Sequence, residues 1–379
     1  RFIDYEARIR SLYGVTENET VHRVDGSAEN PSSADASSSL PDRTESSRDL
    51  DISHNSHPGT YDSSEVSYDP GETSEDKQGA EISGSILIVG SRGMELFGGN
   101  DAQAVRFAQV ISEFAESLDP SIKVYSMPVP KASAYYLALA DTEKYNSYLT
   151  RNKDTMDLIR NNLSDRVTDI NVYNILGVHS NEHIYFRTDH HWTALGAYYA
   201  YVQFCNVKGI TPHDLSDYEV SQYTGFLGSF YNDGGKPQAM ADDPDTVNAY
   251  HPVSSTAAMK YGSSEDSELT GGKVIFDEST AAASLKYGAF IMGDNPFTVI
   301  ENPEVSNGQS CIVVKESFGN AFVPFLVDHY QTVYVVDYRY YGGSVSALAK
   351  AKGVTDVLFV NNLSAIRGSY QMGKLAGVK

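Results

Sequence analysis

The chain has 379 residues and a formal net charge of −21, with 50 Asp and Glu against 29 Lys and Arg. Nucleic acid is excluded as a partner, because phosphate binding relies on basic patches and none is visible. Hydrophobic residues make up 41%, enough for a sizeable core, yet no apolar run reaches the roughly 18 residues that a membrane span requires.

Residues 1–13 are predicted to form a short N-terminal helix. Residues 14–80 carry 15 acidic against 4 basic side chains, a net of −11, with no Phe or Trp. A Ser-, Asp- and Glu-rich stretch of this kind cannot bury enough apolar surface to offset its ordering entropy. It is therefore predicted as a flexible acidic insertion, a solvating spacer or else a partner- or cation-binding segment. The chain begins at Arg1 without an initiator Met or an apolar leader, so a signal peptide or anchor is expected to have been removed.

Residues 81–379 read as an α/β domain. Residues 86–89 form a buried strand, and Ala104, Phe107, Ala108, Ile111, Ala115 and Leu118 fall on one helical stripe. Residues 124–129 are the next strand, residues 141–162 are mostly helical, and residues 172–176 are a further strand. Thr193 is a candidate cap for a helix to about residue 206. Residues 214–270, rich in Tyr, Gly, Asp and Ser, are expected as a loop-rich insertion with short strands. Then come a strand at residues 312–314, a helix to residue 330, a strand at 332–336, a helix at 344–351 and a strand at 356–360. This βαβαβ order brings strand ends to one edge of a parallel sheet, where open α/β proteins place ligands.

The densest cluster of ionisable side chains is Asp189, His190 and His191, next to the single Trp192. If residues 188–191 run extended, Asp189 and His191 share a face and His190 points away. An Asp that orients an imidazole needs only a hydroxyl or thiol to make a nucleophilic triad. Ser317 sits on the turn between the 312–314 strand and the following helix, where free helix N–H groups can hold an oxyanion. A plain helix cap is its other reading. Cys205 and Cys311 lie in apolar settings and are expected as buried free thiols, so neither competes as nucleophile. His179 and His183 add to the potential metal ligands, but no spacing matches a zinc pattern and no metal or other cofactor is predicted.

Four blocks of this chain resemble a known family. Residues 186–199 (FRTDHHWTALGAYY) resemble the signature of the DHHW proteins, a bacterial SGNH-hydrolase-like group similar to the alginate O-acetyltransferases. Residues 123–136 (KVYSMPVPKASAYY), 315–330 (KESFGNAFVPFLVDHY) and 333–341 (VYVVDYRYY) agree with it, so the resemblance spans about residues 82–365. It implies an SGNH-like, flavodoxin-like parallel sheet with helices on both faces and a permuted motif order, since the Asp-His block precedes the serine. It further implies Asp189 as orienter, His191 as base and Ser317 as nucleophile. Glu316 departs from the Asp that many SGNH enzymes carry before the serine. Asn361 or Asn362, with Gly319, would hold the oxyanion, although Asn-Asn also reads as a turn.

The expected activity is acyl transfer, chiefly acetyl, to a polysaccharide outside the cytoplasm, by a protein secreted or anchored through a segment preceding Arg1. A membrane-bound O-acyltransferase is the implied donor partner; the sequence sets no oligomeric state. A carbohydrate acetylesterase and a catalytically silent binding module of an exopolysaccharide system are the competing readings. Among the 26 tyrosines, Tyr340 and Tyr341, with Arg339, follow a carboxyl strand end and are the candidate substrate contacts, with packing as their other reading.

Overall fold

The computed structural model describes residue 68 and residues 79–145 and 151–378. The expected N-terminal helix, and the acidic segment apart from Tyr68, Gly79 and Ala80, lie outside the described residues.

The first three strands, β1 (Glu81–Ser83), β2 (Ile86–Val89) and β3 (Arg92–Glu95), form a small antiparallel sheet. Next come β4 (Lys123–Val129) and β5 (Val167–Asp169), then a separate pair, β6 (Val220–Phe226) and β7 (Asp245–Tyr250). The remaining strands are β8 (Ala258–Gly262), β9 (Thr270–Gly272), β10 (Phe297–Glu301), β11 (Ser310–Lys315), β12 (Thr332–Asp337) and β13 (Asp356–Asn362). Among the described residues the main sheet has eight strands, in the order β5, β4, β13, β11, β12, β10, β8, β9. Joins among the first five are parallel and the last three are antiparallel. The expected parallel sheet is thus its core, extended on one side by β8 from the loop-rich region and by β9 and β10, which follow it.

Both faces of that core are covered, which is why β11 and β13 read as unbroken apolar runs rather than alternating ones. On β13, Phe359 meets Phe114 of the Asp101–Glu116 helix edge to face at 5.3 Å. The adjacent Leu358 pairs in register with Tyr125 of β4, whose ring packs on Phe204 of the Ala194–Lys208 helix. Since neighbours along a strand point to opposite faces, the two helices lie on opposite sides of the sheet. The Phe318–Leu326 helix packs on the Ala194–Lys208 side. Asn100 caps the first helix and Thr193 the second, the latter as expected.

One expected element differs. Residues 172–176 are not a strand but lie in the Tyr173–Val178 helix, started by Asn171 Oδ1 accepting from the Tyr173 N–H; so short an apolar run does not distinguish the two by periodicity. The described residues of 141–162 are mostly helical, as expected: the end of one helix, Leu139–Lys144, and a second, Asn152–Arg160. Gly177 belongs in its helix because the Tyr68 ring covers it: a Cβ there would lie 2.2 Å from Tyr68 Cγ. Tyr68 also meets Tyr135 at 5.6 Å and Tyr173 at 6.0 Å. Cys205 and Cys311 are free and buried, and burial pushes the Cys205 thiol up to about 12.

Candidate active site

Strand β11 ends at Lys315, and Ser317 opens the Phe318–Leu326 helix at the carboxyl edge of the sheet. Its side chain makes no capping bond. The hydroxyl instead lies 2.7 Å from His191 Nε2, and His191 Nδ1 lies 2.6 Å from Asp189 Oδ1. A carboxylate only accepts, so Nδ1 carries the proton and donates to Asp189, which leaves Nε2 to accept from the Ser317 hydroxyl. All three side chains are buried.

The route to this geometry is a turn, not the strand expected over residues 188–191. Tyr185 and Trp192 bridge in antiparallel fashion, and the Phe186 N–H donates to the His191 carbonyl at 3.2 Å, so the intervening residues form a tight loop. Asp189 Oδ1 accepts from the His191 N–H at 3.0 Å, the local bonding for which Asp is favoured in turns. His190 therefore does not point away. Its ring lies 3.7 Å from that of His191, with Nδ1 at 2.8 Å from Ser229 Oγ.

The loop-rich insertion holds the Asp-His loop in place. Asp245, at the start of β7, accepts from the Thr188 N–H at 2.8 Å and the Thr188 hydroxyl at 2.7 Å. The Ser229 N–H donates to Asp189 Oδ2 at 2.8 Å. Burial opposes ionisation of Asp189, but His190 and His191 beside it, with the donors from His191 and Ser229, outweigh that and hold it well below the usual carboxylate range. Nothing in the sequence marks Ser229 or Asp245, because they come from a stretch without periodicity. His179 and His183 turn elsewhere, to Glu182 at 2.7 Å and Asp245 at 3.2 Å. Ligand atoms of Asp189, His190 and His191 lie within 4.8 Å of one another, but both His191 nitrogens are engaged by Asp189 and Ser317.

The expected oxyanion donors are sorted by their partners. The Gly319 N–H donates to the Glu316 carbonyl at 2.9 Å and the Phe318 N–H to Glu316 Oε2 at 3.1 Å, so these helix amides are engaged. Asn361 is buried with neither amide atom hydrogen-bonded. By strand alternation it shares the face of Phe359, opposite the Phe318–Leu326 helix, which corrects its assignment. Asn362 lies on the helix side. Its Oδ1 accepts from the Ser364 and Ala365 N–H groups and from Lys131 Nζ at 3.5 Å, which fixes the amide and turns Nδ2 away from those partners.

The Arg339 guanidinium, a candidate substrate contact, is engaged by acidic side chains. Nε and Nη2 bind Asp337 at 2.8 and 2.6 Å, and Nη2 lies 3.0 Å from Asp294. The same two acids hold Lys315, and Asp294 accepts from Asn320 Nδ2 at 2.9 Å. This buried network ties the ends of β11 and β12 to the helix behind Ser317. Arg339 also lies 5.2 Å from the Tyr340 ring, and the Tyr341 hydroxyl donates to Glu265 at 2.6 Å. Lys131, from the 123–136 block, pairs with Glu95 and lies 4.3 Å from the centre of the Phe318 ring. Burial lowers it to about 7 against the opposing pull of Glu316 and Asp189.

The model of the DHHW protein family matches residues 2–336. A DHHW family protein from Eubacterium siraeum DSM 15702 shares 32% identity and a TM-score of 0.69, over 78% of this chain and 96% of that one. This chain belongs to the DHHW family. Its four signature residues, Asp189 to Trp192, all meet at the site: Trp192 Nε1 donates to the Phe318 carbonyl at 2.9 Å. The DHHW chain is also similar to Bacillus cereus PatB1, at 20% identity and a TM-score of 0.60 over 78% and 99% of the two chains. PatB1 with a sulfonyl adduct aligns at 19% identity, over 78% and 98% of the chains, with a TM-score of 0.62. The fold is SGNH-like. No curated protein sequence matches the chain.

Proposed function

We propose that this DHHW protein transfers an acyl group, acetyl by its resemblance to the alginate O-acetyltransferases, to a polysaccharide hydroxyl through a Ser317 acyl-enzyme. The observation that carries the reading is the buried relay of 2.7 Å from Ser317 to His191 and 2.6 Å from His191 to Asp189. Ser317 Oγ attacks the acyl carbonyl as His191 Nε2 takes its proton, and Asp189 stabilises the imidazolium. Asn362 Nδ2 is the donor for the oxyanion. On collapse, His191 returns the proton to the departing oxygen of the donor, leaving the acyl ester on Ser317. A sugar hydroxyl then attacks that ester, gives its proton to His191, and Ser317 is restored as the acyl group leaves on the sugar.

The resemblance also supports an extracytoplasmic setting, with a membrane-bound O-acyltransferase as the source of the acyl group. Among the described residues no helix is long and apolar enough to cross a membrane. The test mixes the purified protein with an activated acetyl ester and a panel of deacetylated glycans. A glycan mass gain of one acetyl group, lost in Ser317→Ala, is the expected result, because a positioned hydroxyl outcompetes water. Release of acetate from acetylated polysaccharide without transfer would make the protein an esterase. Neither transfer nor release, with no fluorophosphonate labelling of Ser317, would make it a binding module.

A further inference from the structure

The His191 imidazole has a ring against each face. Tyr287 stacks on it with centroids 3.9 Å apart and planes 11° apart, and the His190 ring lies 3.7 Å away, tilted by 39°. Both distances are too short for rings lying side by side, and two rings this close to a third cannot share one face without overlapping, so they occupy opposite faces. Tyr287 is held in turn at its other end, where its hydroxyl donates to the Ser317 carbonyl at 3.0 Å. His190 is held through Ser229.

The segment carrying Tyr287 is itself strained. After the turn Lys286–Ala289 come two consecutive non-glycine residues in the left-handed region, Ile291 at φ 46° and Met292 at φ 57°. A β-branched residue there is unfavourable and persists only where its surroundings impose it, a pattern that concentrates at functional sites. The Ile291 N–H donates to Val274 and the Phe276 N–H to Ala289, each at 2.8 Å, which fixes the segment over the histidine.

We infer that Tyr287 and His190 are positioning residues that hold the plane of the His191 ring from its two sides, keeping its bonds to Asp189 and Ser317 aligned together. The inference rests on the proposed role of Ser317 as nucleophile. Two hydrogen bonds at the two ring nitrogens leave the imidazole able to rock about the line joining them, and face contacts remove that motion. Orientation of this kind acts on the rate of the chemical step rather than on binding. When His191 takes the Ser317 proton, its charge meets the face of the Tyr287 ring, which favours a cation. Burial, reinforced by the charge of His191 and opposed by Asp189, lowers the His190 imidazole well below its usual value.

The test compares Tyr287→Leu, Tyr287→Phe and His190→Ala with wild type in fluorophosphonate labelling of Ser317 and in ester turnover, with melting curves as the fold control. Tyr287→Leu is expected to lower kcat and the labelling rate by about 30-fold or more with KM within about 3-fold, the mark of an interaction that acts on the chemical step. Tyr287→Phe, which keeps the ring, should return to within about 5-fold, and His190→Ala should fall by about 10-fold. A folded Tyr287→Leu that labels within about 3-fold of wild type overturns the inference, as does equal impairment of the Leu and Phe variants. If Tyr287→Leu does not fold, Tyr287→Met replaces it, and if neither folds the ring is structural and the inference fails. Failure of the wild type to label or turn over would instead sink the nucleophile reading. The low-field proton resonance of the Asp189–His191 bond then decides the positioning role: sharp in wild type and Tyr287→Phe, broadened in Tyr287→Leu if the inference holds, unchanged if it does not.

Discussion

Gly228 passes so close to Asp189 that a Cβ on it would lie 2.2 Å from Oδ2 and 2.3 Å from the Asp189 Cβ. The carboxylate is braced there by the N–H of the next residue, Ser229. Gly228→Ala must therefore push Asp189 or the loop aside. It should cost about 1–3 kcal/mol of stability and about 100-fold in kcat, because small displacements of catalytic groups are expensive. Denaturant unfolding and ester turnover measure the two effects, and a variant with wild-type kcat would show that the loop yields without moving the carboxylate.

Asp189→Asn preserves shape while reversing the hydrogen-bond logic. An amide can donate to Nδ1, which leaves the proton on Nε2 and denies Ser317 its acceptor. Turnover and fluorophosphonate labelling should both fall by about 10³–10⁴-fold with the fold intact. Labelling at an undiminished rate would mean that His191 works without its carboxylate partner.

Acid should weaken the network behind Ser317. Burial raises the Asp294 carboxyl, but Arg339 and Lys315 outweigh it and hold it below its ordinary value of 3.8. A carboxyl depressed in the folded state contributes stability that is full above that ordinary value and is lost as pH falls through the folded one. Asp294→Asn should thus be less stable than wild type by about 3 kcal/mol at pH 7, with the gap narrowing as pH falls below 4. Urea unfolding at several pH values checks this; a constant gap would assign the cost to shape rather than charge.

Tyr68, within the acidic segment, is packed. Its ring fills the space over Gly177 beside Tyr135 and Tyr173, so Tyr68→Ala should lower stability by about 2–4 kcal/mol. Deleting about residues 18–60, which spares Tyr68, should leave the melting temperature within a few degrees, as expected for a stretch too polar to build a core. A collapse of the folded state in that deletion would show that the segment packs as an element of its own.

The sequence made Asp189, His191 and Ser317 legible because their chemistry is carried by residue type and by a short spacing. The strands around Ser317 were legible because buried parallel strands are continuous apolar runs. The route by which Asp189 meets His191 was not: alternation along a strand and an Asp-centred turn place the same two side chains together, and only the second also stacks His190 on His191. Ser229, Asp245 and Tyr287 left no local signal, since each acts through a partner at least 30 residues away in the chain. Arg339 looked available because Asp294, which holds it together with the neighbouring Asp337, comes from a distant segment that carries no motif.

Trp192 is the only indole in the chain and is fully buried. Its Nε1 bond ends on the carbonyl of Phe318, one residue beyond Ser317. The protein thereby carries a single indole fluorophore hydrogen-bonded to the backbone of the turn that bears Ser317. Emission from that indole, free of any second tryptophan, would give a label-free optical record of the proposed acylation of Ser317 and its release, in which a stopped-flow trace would separate the two proposed half-reactions by time.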